Sequence, residues 1–271
     1  IDLILTTSTN DLPSILVMTY PGNPTGLTYT EEELKKLVAV LRKHKVIVLA
    51  DEIYGYMTHD GRVLSMASYY PEGTIVSSGL SKWAGVGGWR LGVMMVPDSL
   101  ITDLKPVLLG LGSEIYSCAP TPIQYAAVTA YDDGEDMRQY RRQIQHLLAA
   151  VGNHCQRQLA SAGINVHPPA GGFYLFVDFE PHRAVLAKRG IKTGSQLCNA
   201  LLGEVGIAML PASAFGMDDS ALAARLCYVN FDGEAMLKAV GQGAAVNDLL
   251  VQQYAPDTVE GIAKMVEWVL A

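Results

Sequence analysis

Positive charge is in deficit here: 20 Lys and Arg stand against 27 Asp and Glu in 271 residues, a formal net charge of −7. A nucleic-acid or anionic-membrane partner needs a concentrated basic field, so neither is expected, although a local cationic pocket stays open. Cysteine is sparse too. Cys118, Cys155, Cys198 and Cys227 form no C-x-x-C pair and have no metal-like histidine spacing, which argues against a structural zinc, predicts no metal site, and reads as reduced thiols of an intracellular protein. No apolar run approaches the ~20 residues of a membrane span. The opening IDLILTTSTNDLP lacks the basic start and small-residue cleavage site of a signal peptide. These absences predict a cytoplasmic protein. Internal repeats and low-complexity tracts are missing, and so is any complete G-x-G-x-x-G or G-x-x-x-x-G-K-[ST] pattern, which disfavours a nucleotide-binding loop.

What is present is apolar and globular: 49% hydrophobic against 17% charged residues, with length enough for a substantial core. The run SILVMT (14–19), cut off by YPGNPTG, reads as a buried strand ending in a tight turn. Thr30 followed by Glu33 is a capping box. Leu34, Leu37, Val38 and Leu41 then share one helical face, and the helix is predicted to stop near His44. VIVLA (46–50), TIVSS (74–78) and LGVMMV (91–96) are further strands without alternating polarity, which predicts a mostly parallel sheet covered on both faces, an α/β domain.

From Pro120 to about Leu159 the pattern turns helical, with an acidic break at Asp132 to Glu135 and then a long Arg- and Gln-rich helix suited to joining two domains. Beyond it, GINVHPPAGGFYLFVDF (163–179), GIAMLPASAFG (206–216) and ARLCYVNFD (224–232) supply short strands flanked by helices, an α+β unit. The expected division is 1–134 for a large domain and 135–271 for a smaller C-terminal one carrying the linking helix.

Ligands of open parallel sheets sit beyond the carboxyl ends of the strands. Three polar clusters fall there: Asn23 in YPGNPTG, Asp51 with Tyr54 in ADEIY, and Ser78, Ser81 and Lys82 in SSGLSK. Singly, Asp51 reads as a helix N-cap, Lys82 as a surface charge, and Arg90 or Arg225 as a structural ion pair. Together they supply an amine able to form an imine, a carboxylate to hold a pyridinium nitrogen protonated, donors for a phenolate oxygen, and a cation with hydroxyls for a phosphate. That is the set required by pyridoxal phosphate. Arg90 offers a planar fork that matches phosphate oxygens, and the glycines at 85, 87 and 88 let the backbone turn so that it and Lys82 face one small anion.

Taken in order, NPTG (23–26), ADEIY (50–54), SGLSK (78–82) with GWRLG (88–92), PPAGGFYLF (168–176), LPASAFG (210–216) and RLCYV (225–229) resemble the fold-type I pyridoxal-phosphate enzymes, specifically the class I/II aminotransferases. The resemblance implies that the first unit is part of the large domain of that fold. It implies Lys82 as the Schiff-base lysine, Asp51 as partner of the pyridinium nitrogen, and Asn23 and Tyr54 as donors to the phenolic oxygen. Arg90 with Ser81 or Ser78 becomes the phosphate clamp, and Arg225 the grip on the substrate's α-carboxylate, with Asn23 beside it; a cis Asn23-Pro24 bond is suggested as well. Two departures stand out. Gly79, three before the lysine, replaces a residue that often bears a hydroxyl in the family. The family's N-terminal half, with its glycine-serine phosphate loop and its ring-stacking aromatic, has no counterpart in these residues, which implies a portion of a longer protein or a truncated relative.

The activity implied is amino-group transfer between an amino acid and a 2-oxo acid in amino acid metabolism. The alternatives are a lyase or synthase of the same fold, a non-catalytic ligand-sensing domain of the kind attached to transcription regulators, or a silent fragment. The resemblance also implies a homodimer, with SEIYSCAPTPIQ (113–124) as a stretch that contacts the partner or, equally, an ordinary loop before a helix.

Overall fold

The computed structural model describes residues 13–271, which form two compact units. The first takes the chain up to Pro21, Thr28–Tyr56 and Arg62–Arg141; the second takes Gly22–Leu27, Met57–Gly61 and Arg142–Ala271.

The sheet of the first unit is ordered β1 (Ile15–Thr19), β2 (Ile47–Asp51), β3 (Thr74–Gly79), β4 (Gly92–Met95). β1, β2 and β3 run parallel, so their carboxyl ends lie at one edge, and β4 returns antiparallel. Helix α1 (Glu31–Lys43) crosses between β1 and β2. Its capping box is formed as the sequence predicts: the Thr30 side chain accepts from the Glu33 N–H while the Glu33 carboxylate accepts from the Thr30 N–H. Three glutamates lie in its first turn and Arg42 and Lys43 in its last, each complementing the helix dipole. Leu34, Val38 and Leu41 pack against Met18, Val48 and Ala50 to make the core.

Among the described residues, α1 and this core cover one face of the sheet. Ile15 and Val17 are 64% and 65% exposed, because alternation along β1 sends them to the side opposite Leu16 and Met18. Uniform hydrophobicity marks a strand fit to be buried on both sides, and among the described residues these two positions stay exposed.

After β4 come α2 (Asp98–Ile115), α3 (Thr121–Tyr131) and α4 (Glu135–Ser161). The sequence reading has no helix corresponding to α2. Pro106 inside it, together with Gly110 and Gly112, removes the usual signature, and Val107, Leu109 and Leu111 are exposed rather than forming a buried stripe. The stretch 113–124 therefore spans the end of α2, a short loop in which Ser117 has φ 63°, and the start of α3. The boundary between the units falls within α4, after Arg141.

The second unit holds an antiparallel sheet ordered β5 (Asn165–Val166), β6 (Tyr174–Asp178), β8 (Ala223–Cys227), β7 (Leu210–Pro211). Its helices are α5 (Arg183–Lys188), α6 (Gly194–Val205), α7 (Gly233–Gly241), α8 (Asp248–Tyr254) and α9 (Pro256–Leu270). Helix α6 starts on the Thr193 side chain, which accepts from the Gln196 N–H, and ends on Gly206 in the left-handed conformation. Leu175, Val177, Leu197, Leu201, Ala224 and Met265 are fully buried in this unit. Among the described residues no helix is long and apolar enough to cross a membrane, no cluster of His, Cys, Asp and Glu is placed to hold a metal ion, and all four cysteines are free.

Candidate active site

The register of the first sheet sets the polar groups of its carboxyl edge. Asp51, the last residue of β2, lies opposite Thr19 of β1 and Ser77 of β3. One Asp51 carboxylate oxygen accepts the Ile53 N–H at 3.2 Å, an Asx-type turn that carries the chain off the strand. Tyr54 follows, with its ring buried. Glu52 turns the other way: one of its oxygens accepts from the Tyr20 hydroxyl, the Ser65 hydroxyl and the Met66 N–H, at 3.1, 2.9 and 2.9 Å. Burial raises the Glu52 carboxyl above the usual range, and burial beside Glu52 raises the Tyr20 phenol.

Lys82 and Arg90 occupy the loop between β3 and β4. Gly79 pairs with Gly92, and the Leu80 N–H donates to the Leu91 carbonyl at 3.4 Å, so residues 80–91 form a hairpin loop with a closed neck. Lys82 stands three residues beyond the end of β3, and Arg90 two before the start of β4. The closed neck therefore keeps both cations at the sheet edge that carries Asp51. Arg90 is in the left-handed conformation with φ 55°, and its Nη1 donates to the Gly87 carbonyl at 2.8 Å. Gly79 is required by the neck itself, since a Cβ there would lie 2.8 Å from the Leu91 carbonyl oxygen. This steric fact explains why no hydroxyl-bearing residue stands at that position.

The loop is anchored by the neighbour of the lysine. Trp83 is fully buried, with ring centroids 5.3 Å from Tyr56 and 5.8 Å from Tyr131, both edge-on, and its carbonyl accepts from the Tyr140 hydroxyl at 3.1 Å. Sequence reasoning missed this aromatic seat because its members are far apart in the chain. Ser78 is placed differently from Asp51: alternation along β3 sends it to the opposite face, where its hydroxyl donates to the Glu52 carbonyl at 3.4 Å. There it lines a cavity of about 450 Å³ with Val63, Val76, Val93 and Tyr131. Ser81 lies in the Lys82 loop.

Asn23 and Arg225 belong to the second unit, and the structure brings these two together. Arg225, in β8 between Phe176 of β6 and Leu210 of β7, donates from Nη1 to the Asn23 amide oxygen at 2.9 Å. Its guanidinium carbon lies 4.5 Å from the Tyr174 ring centroid and 5.2 Å from that of Phe215. Its Nε is buried and makes no hydrogen bond among the described residues. A guanidinium held on aromatic faces in this way keeps donor capacity in reserve. The Asn23-Pro24 and Tyr20-Pro21 peptide bonds are both cis.

A second group in this unit escaped the sequence reading. His59 places Nδ1 2.9 Å from the Pro169 carbonyl and Nε2 3.2 Å from that of Gly172, partners 110 and 113 residues away that no local spacing could reveal. The Tyr228 hydroxyl is 3.4 Å from Nε2 and 3.1 Å from the Gly172 carbonyl, so its single hydrogen can serve either. Burial is the larger influence and holds the ring below the ordinary histidine range, against the two carbonyls and Asp60, which favour the cation. The unfolded chain therefore takes up a proton near pH ~6.5 while the folded one does not, and stability rises with pH in that window. Lowering the pH from about 7 to about 5 is expected to lower the melting temperature, and His59→Gln to flatten that fall. Calorimetry at constant ionic strength checks it, and an undiminished fall in the variant would remove His59 as a cause.

Pyridoxal phosphate suits the first-unit donor set in kind: an amine and a guanidinium on one closed-neck loop, with a carboxylate at the adjacent strand end. The profile of the family "Aminotransferase class I and II" matches residues 2–241, and enzymes of that family use this cofactor. A "Probable N-acetyl-LL-diaminopimelate aminotransferase" of Bacillus subtilis (strain 168) is 35% identical over 205 residues, 74% of this chain and 47% of the relative. An "Aspartate aminotransferase" of Geobacillus stearothermophilus is 33% identical over 218 residues, 79% of this chain and 52% of the relative. The chain thus spans about half the length of the curated relatives it matches. Among solved structures, an aromatic aminotransferase from Pyrococcus horikoshii OT3 has a TM-score of 0.73 at 25% identity, over 98% of this chain and 62% of that one.

Proposed function

This chain belongs to the class I and II aminotransferase family, and on that footing we propose that the protein moves an amino group from an amino acid to a 2-oxo acid with pyridoxal phosphate as cofactor. The cofactor, when bound, supplies an aldehyde for an amine and a ring that takes up the electrons released at the substrate's α-carbon. The Lys82 amine holds it and, once displaced, moves the α-proton. The Asp51 carboxylate keeps the ring nitrogen protonated, and Tyr54 and Asn23 donate to the phenolic oxygen. Arg90 and Ser81 hold the phosphate, with Ser78 the alternative hydroxyl. Arg225 binds the substrate's α-carboxylate through paired N–H groups. Residues 1–134 are assigned to the large domain and 135–271 to the small one, in a cytoplasmic homodimer.

The observation that carries this reading is the register that sets Asp51 at the carboxyl end of β2 and Lys82 in the loop leaving the adjacent parallel strand β3. Mixing the loaded protein with single amino acids, without a 2-oxo acid, is expected to give the matching 2-oxo acid and pyridoxamine phosphate in equal amounts. Release of ammonia or a sulfur product in their place would replace transfer by elimination.

A further inference from the structure

The chain from Asn23 to His59 is joined by a run of bonds inside the second unit. The turn carrying Asn23 is closed by the Gly22 N–H donating to the Leu27 carbonyl and the Gly26 N–H to the Gly22 carbonyl, both at 2.8 Å. The Gly26 carbonyl accepts from the N–H groups of Ala170 and Gly171, at 2.7 and 3.0 Å. Gly26 has φ 68°, and a Cβ on it would lie 2.3 Å from the Tyr174 carbonyl oxygen, so turn and loop meet at backbone contact with no room to slide. Residues 169–172 are then held from their other side by the segment 57–61. The His59 N–H donates to the Ala170 carbonyl, the Gly172 N–H donates to the Met57 carbonyl, each at 2.9 Å, and Thr58 bridges Gly171. The His59 ring adds contacts to Pro169 and Gly172.

We propose that His59 is a positioning residue for substrate-carboxylate recognition: by holding the 169–172 loop through its ring, it fixes Gly26 and with it the amide of Asn23 that orients the Arg225 guanidinium. The inference rests on the reading of Arg225 as the carboxylate grip. The neutral ring has one N–H, and Nδ1 is the nitrogen nearer a carbonyl, so without the ring the Pro169 carbonyl loses its side-chain donor while the Tyr228 hydroxyl still serves Gly172. A buried carbonyl left short of a partner moves to find one, and the Gly26 bonds transmit that movement to Asn23. Lys82, Asp51 and Arg90 belong to the first unit.

His59→Phe keeps a ring and loses the single ring N–H of the neutral imidazole together with its acceptor nitrogen. In the loaded whole protein it is expected to raise KM for the amino acid about tenfold, with kcat changed by less than about threefold. It is expected to weaken by a similar factor the binding of succinate or 3-phenylpropanoate, carboxylates that lack an amino group and are not turned over. Cofactor affinity and its bound spectrum stay as in the parent. His59→Asn, whose side-chain N–H can replace Nδ1 at Pro169, is expected to recover most of the loss. A role confined to stability would instead lower the melting temperature and leave KM and carboxylate binding alone, and that result in folded His59→Phe overturns the proposal. Should His59→Phe not fold, His59→Leu, smaller and likewise without a donor, is measured in its place, and parent values of KM and carboxylate binding in it overturn the proposal equally. A parent protein that neither binds the cofactor nor forms a 2-oxo acid defeats the proposed function and this inference with it. Parent turnover with an indifferent His59→Phe defeats the inference alone.

Discussion

Lys82→Ala in the loaded whole protein is expected to cut turnover by at least about 10³-fold, because one positioned amine is asked both to hold the cofactor and to carry the proton that leaves the α-carbon. Proton transfer by a placed side chain alone is worth roughly 10²–10⁴-fold. The fold should survive the change. Lys82 is half-buried in the 80–91 loop, whose seat is Trp83 and whose neck is the Leu80–Leu91 bond, and neither depends on the lysine side chain. Two measurements separate lost chemistry from lost structure: the absorbance of the lysine-held cofactor, expected to vanish, and the melting temperature, expected to change little. Added methylamine, a small amine of comparable basicity, should restore part of the rate. A variant that retained both the absorbance and the turnover would show that another amine does this work.

Arg225→Ala is expected to lower kcat/KM by about 10²–10³-fold, chiefly through KM, since a charge-assisted hydrogen bond contributes about 1.5–3 kcal/mol and a guanidinium offers a carboxylate two of them. Among the described residues Arg225 makes one side-chain hydrogen bond, to Asn23, and its buried Nε has no partner, so little of its donor capacity is used. Arg225→Lys keeps the charge but loses the fork and its stacking between Tyr174 and Phe215, and should fall between alanine and the parent. Steady-state kinetics with one amino acid, together with the dissociation constant of a carboxylate that is not turned over, check both variants. Parent values of KM in Arg225→Ala would remove this residue from substrate binding.

The parts of the fold that could be read along the chain are those with local causes. Thr30 and Glu33 cap α1 because their partners are three residues apart, and the apolar runs ending at Thr19, Asp51 and Gly79 are strands because such runs suit full burial. Helix α2 escaped the reading because Pro106 and two glycines blur the period that would mark it. Hydrophobicity reports what a strand can bury, and among the described residues Ile15 and Val17 bury little.

The site divides along the same line. Residue types and their order determined that an amine, a carboxylate, two guanidiniums and several hydroxyls would fall at strand ends and turns, since those identities and spacings are properties of the chain. Only the tertiary structure decided which of them share a face or a loop. Register set Asp51 across from Ser77 and turned Ser78 away, and the hairpin neck held Lys82 and Arg90 in one loop. Contacts across 202 residues paired Arg225 with Asn23, and contacts across 110 and 113 residues put His59 behind the 169–172 loop. The reason is physical: a capping box or an apolar run is complete within a few residues, whereas a carbonyl that needs a partner accepts one from wherever packing brings it.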